Sequence, residues 1–159
     1  MRDRGSLDIL QMPMGSFWTK IGWEQIDLTD NRDGLTKVVI VSLPGMFQNM
    51  LKHTFTQRAD VEVVGVANGG LSAIDLIKKQ SPELVVIDSN IPRAEASELI
   101  RWIKRECQHI YSLWLVETTQ QLNQVGVSGA DVTLRSYSLP EKLDMVLKNL
   151  NTNHKLSNE

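Results

Sequence analysis

The chain has 159 residues, 42% apolar and 23% charged, with a formal net charge of −2. These proportions fit one globular domain plus an extra segment and exclude a disordered chain. The charge balance supplies no basic footprint for nucleic acid, and no apolar run approaches membrane-spanning length.

Residues 1–36 are set apart as an N-terminal extension. The opening "MRDRGSLDILQMPMGSFW" lacks the uninterrupted apolar core of a secretory signal. Ser16 is placed to cap a short helix carrying Phe17, Trp18, Ile21 and Leu28, though Gly22 weakens it. With Trp23 nearby, so many large apolar side chains imply burial against the domain's own body, a second copy or another protein. Deleting 1–34 is expected to change stability or association. Asp27, Asp30 and Asp33 do not match a calcium loop and indicate a solvated turn before the first strand.

From Lys37 the pattern becomes regular. "KVVIV" (37–41) predicts a buried strand. "PGMFQNMLKHTFTQ" (44–57) predicts a helix, with Met46/Phe47, Met50/Leu51 and Phe55 at helical spacing and Pro44 suited to a first turn. "VEVVGVA" (61–67) is strand-like. "NGGLSAIDLIKKQS" (68–81) predicts a turn and a helix with Leu71, Ile74 and Ile77 inward. "ELVVID" (83–88) is a strand ending on a carboxylate, Asp88. "EASELIRWIKREC" (95–107) is a helix with Leu99, Ile100 and Ile103 on one face. "YSLWLV" (111–116) is a strand with Trp114 in the core. "TTQQLNQVGVSGA" (118–130) is a weaker helix, and "DVTLR" (131–135) a short strand. "LPEKLDMVLKNL" (139–150) is a helix with Leu143, Val146, Leu147 and Leu150 inward, and "NTNHKLSNE" (151–159) is expected as a frayed polar tail.

Strand and helix alternate five times. Continuous apolar strands imply a parallel sheet covered on both faces, and right-handed crossovers make it a doubly wound α/β sandwich. In such sheets the working residues sit at the carboxyl ends of the strands. Asp88 occupies such a position.

Three phrases then carry a family resemblance: "DVEVVGVANGG" (60–70), "PELVVIDSNIP" (82–92) and "GADVTLRSYSLPEKL" (129–143). In this order and spacing they resemble the second strand with its glycine turn, the phosphoacceptor strand, and the fifth strand of receiver domains of two-component response regulators. The resemblance covers about residues 37–150. It implies a flavodoxin-like (βα)5 fold with a five-stranded parallel sheet in the order 2-1-3-4-5. It also implies Asp88 at the phosphoacceptor position, with Pro92 in the loop after it.

Similar domains use two acidic residues after the first strand to hold Mg²⁺, a hydroxyl after the fourth strand and a lysine after the fifth. Those positions fall here on Ser42 and Leu43, on Glu117 and on Ser136. No Asp or Glu lies between residues 34 and 59, so a one-residue slip does not recover the acidic pair. Arg135 is next to the lysine position, but strand alternation points it elsewhere. Thr118 is next to the hydroxyl position.

Other candidates have plainer readings. The Gly69–Gly70 pair lacks the longer phosphate-cradle motif and indicates a turn. His53 and His109 are isolated, at surface or helix-end positions. Cys107, the single cysteine, is expected as a buried free thiol with no internal disulfide and no metal company. Trp102 falls at a rim or interface, and Tyr137 adjoins the lost lysine position.

The expectation is a stand-alone pseudo-receiver of 37–150: non-enzymatic, cytoplasmic, without cofactor or metal. It acts in signal transduction through a protein partner, without nucleic acid or membrane binding. It forms a homodimer through 118–150, and no output module follows its last helix. Two alternatives stay open. One is a genuine phosphoacceptor, phosphorylated on Asp88 with Mg²⁺. The other is a flavodoxin-like small-molecule binder, for which no phosphate-binding loop is present.

Overall fold

A computed structural model describes residues 34–124 and 129–157, with side chains described as far as residue 153. The chain divides between Leu35 and Thr36 into two units, and the described structure is essentially that of the second. The expectations for Phe17, Trp18, Ile21, Trp23, Asp27, Asp30 and Asp33 lie outside the described residues, as do those for 125–128.

Five strands, β1 (Thr36–Val41), β2 (Val61–Ala67), β3 (Leu84–Ile87), β4 (Tyr111–Val116) and β5 (Val132–Arg135), form one sheet. Its order is β2-β1-β3-β4-β5, and every neighbouring pair is parallel. The helices between and after them are α1 (Met46–Thr56), α2 (Gly70–Gln80), α3 (Arg93–Glu106), α4 (Thr119–Gln124) and α5 (Leu139–Ser157). A single 3-10 turn, Ser136–Ser138, joins β5 to α5.

The apolar runs of the central strands are buried because each face of the sheet is covered. Val38, Ile40, Val86, Leu113 and Leu115 pack with Leu51 and Phe55 of α1 and with Leu143, Val146, Leu147 and Leu150 of α5. Val39, Val41, Val85, Ile87 and Trp114 pack on the other face with Ala73 and Ile77 of α2 and with Leu99, Ile100 and Ile103 of α3. Each large side chain so buried contributes roughly 1.5–3 kcal/mol. The side chains expected inward on α3 and α5 are the buried ones.

Two stripes differ from expectation. On α1 only Leu51 and Phe55 are buried, while Met46, Phe47 and Met50 are exposed. These three occupy the first turns of α1, past the carboxyl end of β1, where no other described element covers them. On α2 the buried stripe is Gly70, Ala73 and Ile77. Leu71 is 84% exposed because it sits about 100° around the helix from that stripe. Residues 151–157, expected to fray, continue α5 to Ser157. Cys107 is half-buried rather than buried.

Among the described residues, no helix is long and apolar enough to cross a membrane.

Candidate functional site

The parallel sheet aligns the carboxyl ends of its strands, and the residues just past them converge. Ser42 and Leu43 follow β1, Asp88 follows β3, Glu117 follows β4 and Ser136 follows β5. Asp88 is pinned at its backbone, where its N–H donates to the Val41 carbonyl at 2.9 Å. Its side chain is turned into the structure and the residue is only 3% exposed.

Both carboxylate oxygens of Asp88 are engaged. The Ser42 hydroxyl donates to Oδ2 at 2.7 Å, and the Ser89 N–H donates to Oδ1 at 2.7 Å. No lysine, arginine or histidine among the described residues pairs with Asp88. The buried carboxylate is therefore held by hydrogen bonds rather than by a counter-charge. Such an arrangement is tolerable only while its acceptors stay matched.

Asn90 closes the β1 side. Its Nδ2 donates to Ser42 Oγ at 3.3 Å, and its Oδ1 accepts the Leu43 N–H at 3.1 Å. Gln48 of α1 donates to the Ser42 carbonyl at 2.7 Å. Leu43 itself is 40% exposed, and Met46, Phe47 and Met50, shortly after it in the chain, are exposed as well.

On the β4–β5 side a line of hydroxyls continues. Ser89 Oγ lies 3.4 Å from both Asp88 Oδ1 and Glu117 Oε2. Ser136 Oγ donates to the Val116 carbonyl at 3.2 Å and lies 3.4 Å from Ser89 Oγ. Arg135 does point away, as alternation predicts. Its Nη1 donates to Thr119 Oγ1 at 2.8 Å, and its guanidinium stacks over the Tyr137 ring, 4.6 Å from the centroid.

Thus Ser42, Asp88, Glu117 and Ser136 meet in one hydrogen-bonded cluster, while Leu43 joins only through its backbone. The sequence reading missed Ser89 and Asn90, which hold Asp88 and Ser42 in place. Their signal was the polar "SN" straight after a buried strand. Ser89 Oγ stands between two carboxylates, Asp88 and Glu117, and its single hydroxyl proton serves one at a time. Among the described residues, no three His, Cys, Asp or Glu side chains gather where a metal ion could be held.

Gly69 and Gly70 serve a different purpose from a phosphate cradle. Glu95, in the first turn of α3, accepts a hydrogen bond from the Gly70 N–H at the start of α2. A Cβ on Gly69 would stand 2.7 Å from Glu95 Oε2. The glycines let a carboxylate from α3 reach the amino end of α2, where negative charge is favourable. His53 and His109 are exposed and apart from this cluster.

No protein-family model matches the chain. Among curated relatives, a protein-glutamate methylesterase/protein-glutamine glutaminase of Saccharophagus degradans is 34% identical over 67 residues, covering 42% of this chain and 18% of that protein. Its counterpart from Methanospirillum hungatei is 24% identical over 105 residues, covering 66% of this chain and 29% of that protein. The chain therefore spans less than a third of the length of these relatives. Among solved structures, the signal receiver domain of the response regulator NarL from Mycobacterium tuberculosis superposes with a TM-score of 0.64 at 20% identity. That match covers 74% of this chain and 97% of that one. The response regulator domain of Thermotoga maritima CheB superposes with a TM-score of 0.61 at 18% identity, again covering 74% and 97%. The fold is that of the response-regulator receiver, CheY-like and flavodoxin-like.

Proposed function

We propose that the chain is an atypical receiver, a pseudo-receiver that signals by protein–protein contact and independently of phosphorylation. The observation that supports this reading best is the state of Asp88. A phosphoacceptor needs an accessible carboxylate oxygen and cations to neutralise the transferring group. Here one oxygen carries the Ser42 hydroxyl and the other the Ser89 N–H. At the lysine position Ser136 donates to a backbone carbonyl. The Ser42 hydroxyl and the Ser89 N–H are turned to Asp88 as donors, and Asn90 Oδ1 accepts the Leu43 N–H, so these groups serve the carboxylate and the backbone rather than a shell of oxygen ligands for Mg²⁺. No step through a metal is assigned.

The exposed apolar group Leu43, Met46, Phe47 and Met50 supports contact with another protein, because clustered large apolar side chains favour removal from water. In this proposal the working domain is 37–150, with 1–36 as an extension, in a cytoplasmic setting. The homodimer forms through 118–150, where Tyr137 and Met145 are exposed. Methylesterase and glutaminase are names of the relatives. Because the matched stretch is a minor part of their length, the reading assigns neither activity to this chain and treats it as regulatory and non-enzymatic.

The rival reading is a genuine phosphoacceptor, favoured by the place of Asp88 directly after β3. Acetyl phosphate with Mg²⁺, followed by intact mass, separates the two. The expected result is no phosphoryl adduct. An adduct on the native chain that disappears in Asp88→Asn would overturn the proposal in favour of its rival.

A further inference from the structure

Next to the Asp88 cluster is a cavity that the proposed function does not use. It has a volume of about 240 Å³ and opens between the loop from β3 to α3 and the turn from β4 to α4. On the liquid-water scale of roughly 30 Å³ per molecule, that is space for about eight waters, the size of a small organic ligand.

Its lining divides by chemistry. Ile91, Trp114 and Val116 make an apolar wall, and each is almost fully buried apart from the face it turns to the cavity. Ser89, Arg93 and Gln121 make the polar side. Arg93 donates to the side-chain and backbone carbonyls of Gln124 at 3.1 and 3.3 Å, and it has no carboxylate partner among the described residues. Gln121 Oε1 accepts the N–H groups of Glu117 and Thr118 at 2.9 and 3.1 Å. This fixes the amide, so Nε2 is left as a donor without a partner among the described residues. The nearby negative charges, Asp88 and Glu117, stand behind Ser89 and outside the lining. They disfavour a dianion, whereas a single charge can settle at the Arg93 side.

We propose that this cavity binds a small monocarboxylate with a planar apolar body. The body lies against Trp114, Ile91 and Val116. The carboxylate takes the guanidinium N–H groups of Arg93 that Gln124 does not use, and the Gln121 amide. A ligand so placed touches Ser89, the residue whose N–H holds Asp88, so occupancy acts on the loop that fixes the buried carboxylate.

The test uses the full chain and three probes of one shape: benzoate, benzamide and benzylamine. Calorimetric titration is expected to show saturable one-to-one binding of benzoate, weaker binding of benzamide and none of benzylamine. Arg93→Gln, an exposed substitution that leaves the core intact, is expected to weaken benzoate about five- to tenfold by removing a charge-assisted contact. Arg105→Gln, on the far part of α3, is expected to leave it unchanged. Benzoate quenching of tryptophan fluorescence is expected to persist in Trp102→Phe and to vanish in Trp114→Phe, each first checked for native melting. The proposal is overturned if benzoate shows no saturation, if benzylamine binds equally well, or if Arg93→Gln leaves the benzoate affinity unchanged.

Discussion

At the scale of single residues, the carboxyl edge of the sheet turns on Ser42. Its hydroxyl is a donor that matches an Asp88 oxygen that burial would otherwise leave without water. Ser42→Ala removes that donor and keeps the acceptor buried, which costs about 1–3 kcal/mol. Chemical denaturation should therefore show a lower midpoint with an unchanged slope, and an unaltered midpoint would mean that solvent reaches Asp88. Ser42→Asp puts a second carboxylate against the first. It should destabilise the chain in chelator and recover part of the loss in millimolar Mg²⁺, whereas the native chain should melt identically in both. The strand ends that carry Ser42, Asp88, Glu117 and Ser136 were legible in the sequence, because the apolar runs locate them. The bonding among those residues was not. Ser89 and Asn90 are ordinary loop residues until the β1 and β3 ends are brought side by side.

At the scale of elements, pattern located every strand and failed on parts of two helix faces. Periodicity finds which residues share a stripe, but not where along its length a helix runs past its cover. That is why Met46 and Phe47 were grouped with Leu51 and Phe55. A contact that pattern could not reveal joins β2 to α2. Gly65 pairs with Val39, just past the register shift between Val38 and Val39 of β1, and a Cβ there would stand 2.6 Å from Leu76 Cδ2 and 2.9 Å from its Cγ. Gly65→Ala forces α2 outward and should cost about 1–3 kcal/mol as overpacking, readable as a lower melting temperature with secondary structure retained. Between β4 and α5, Tyr111 is a titration handle. Burial first, and the Asp131 charge second, hold its hydroxyl above the usual 10.0, with a hydrogen bond to Asn149 opposing them. The folded chain thus binds this proton more tightly than the unfolded chain does. Its contribution is full below pH 10 and is lost as pH rises through the raised value. Burial raises the Cys107 thiol above 9.0 in the same sense. Stability should decline on the alkaline side, and Tyr111→Phe should flatten that decline. An equally steep decline in Tyr111→Phe would assign it to other groups.

At the scale of the whole molecule, the sheet and its cover are built from one continuous stretch. All five strands lie between Thr36 and Arg135, and the buried members of both apolar clusters run from Val38 to Leu150. Among the described residues, long-range polar ties also join its parts. Arg58, which binds Asp60 at 3.0 Å, also reaches Asp144 of α5, and Asp131 ties β5 to Ser112 of β4 at 2.8 Å. Parallel strands cannot pair as hairpins, so β1, between β2 and β3, depends on β3 being delivered by two crossovers, and removing any one unit would open the sheet. Removing what precedes Thr36 touches none of these five strands. A chain of residues 36–159 should therefore fold with one cooperative thermal transition, as small single domains do. It should also keep the near-ultraviolet signal of the buried Trp114. The comparison is calorimetry and circular dichroism of this fragment beside the full chain. A fragment with helical far-ultraviolet signal but no cooperative transition would show that the two buried clusters are insufficient on their own. The first 35 residues would then have to be counted as part of the folding unit.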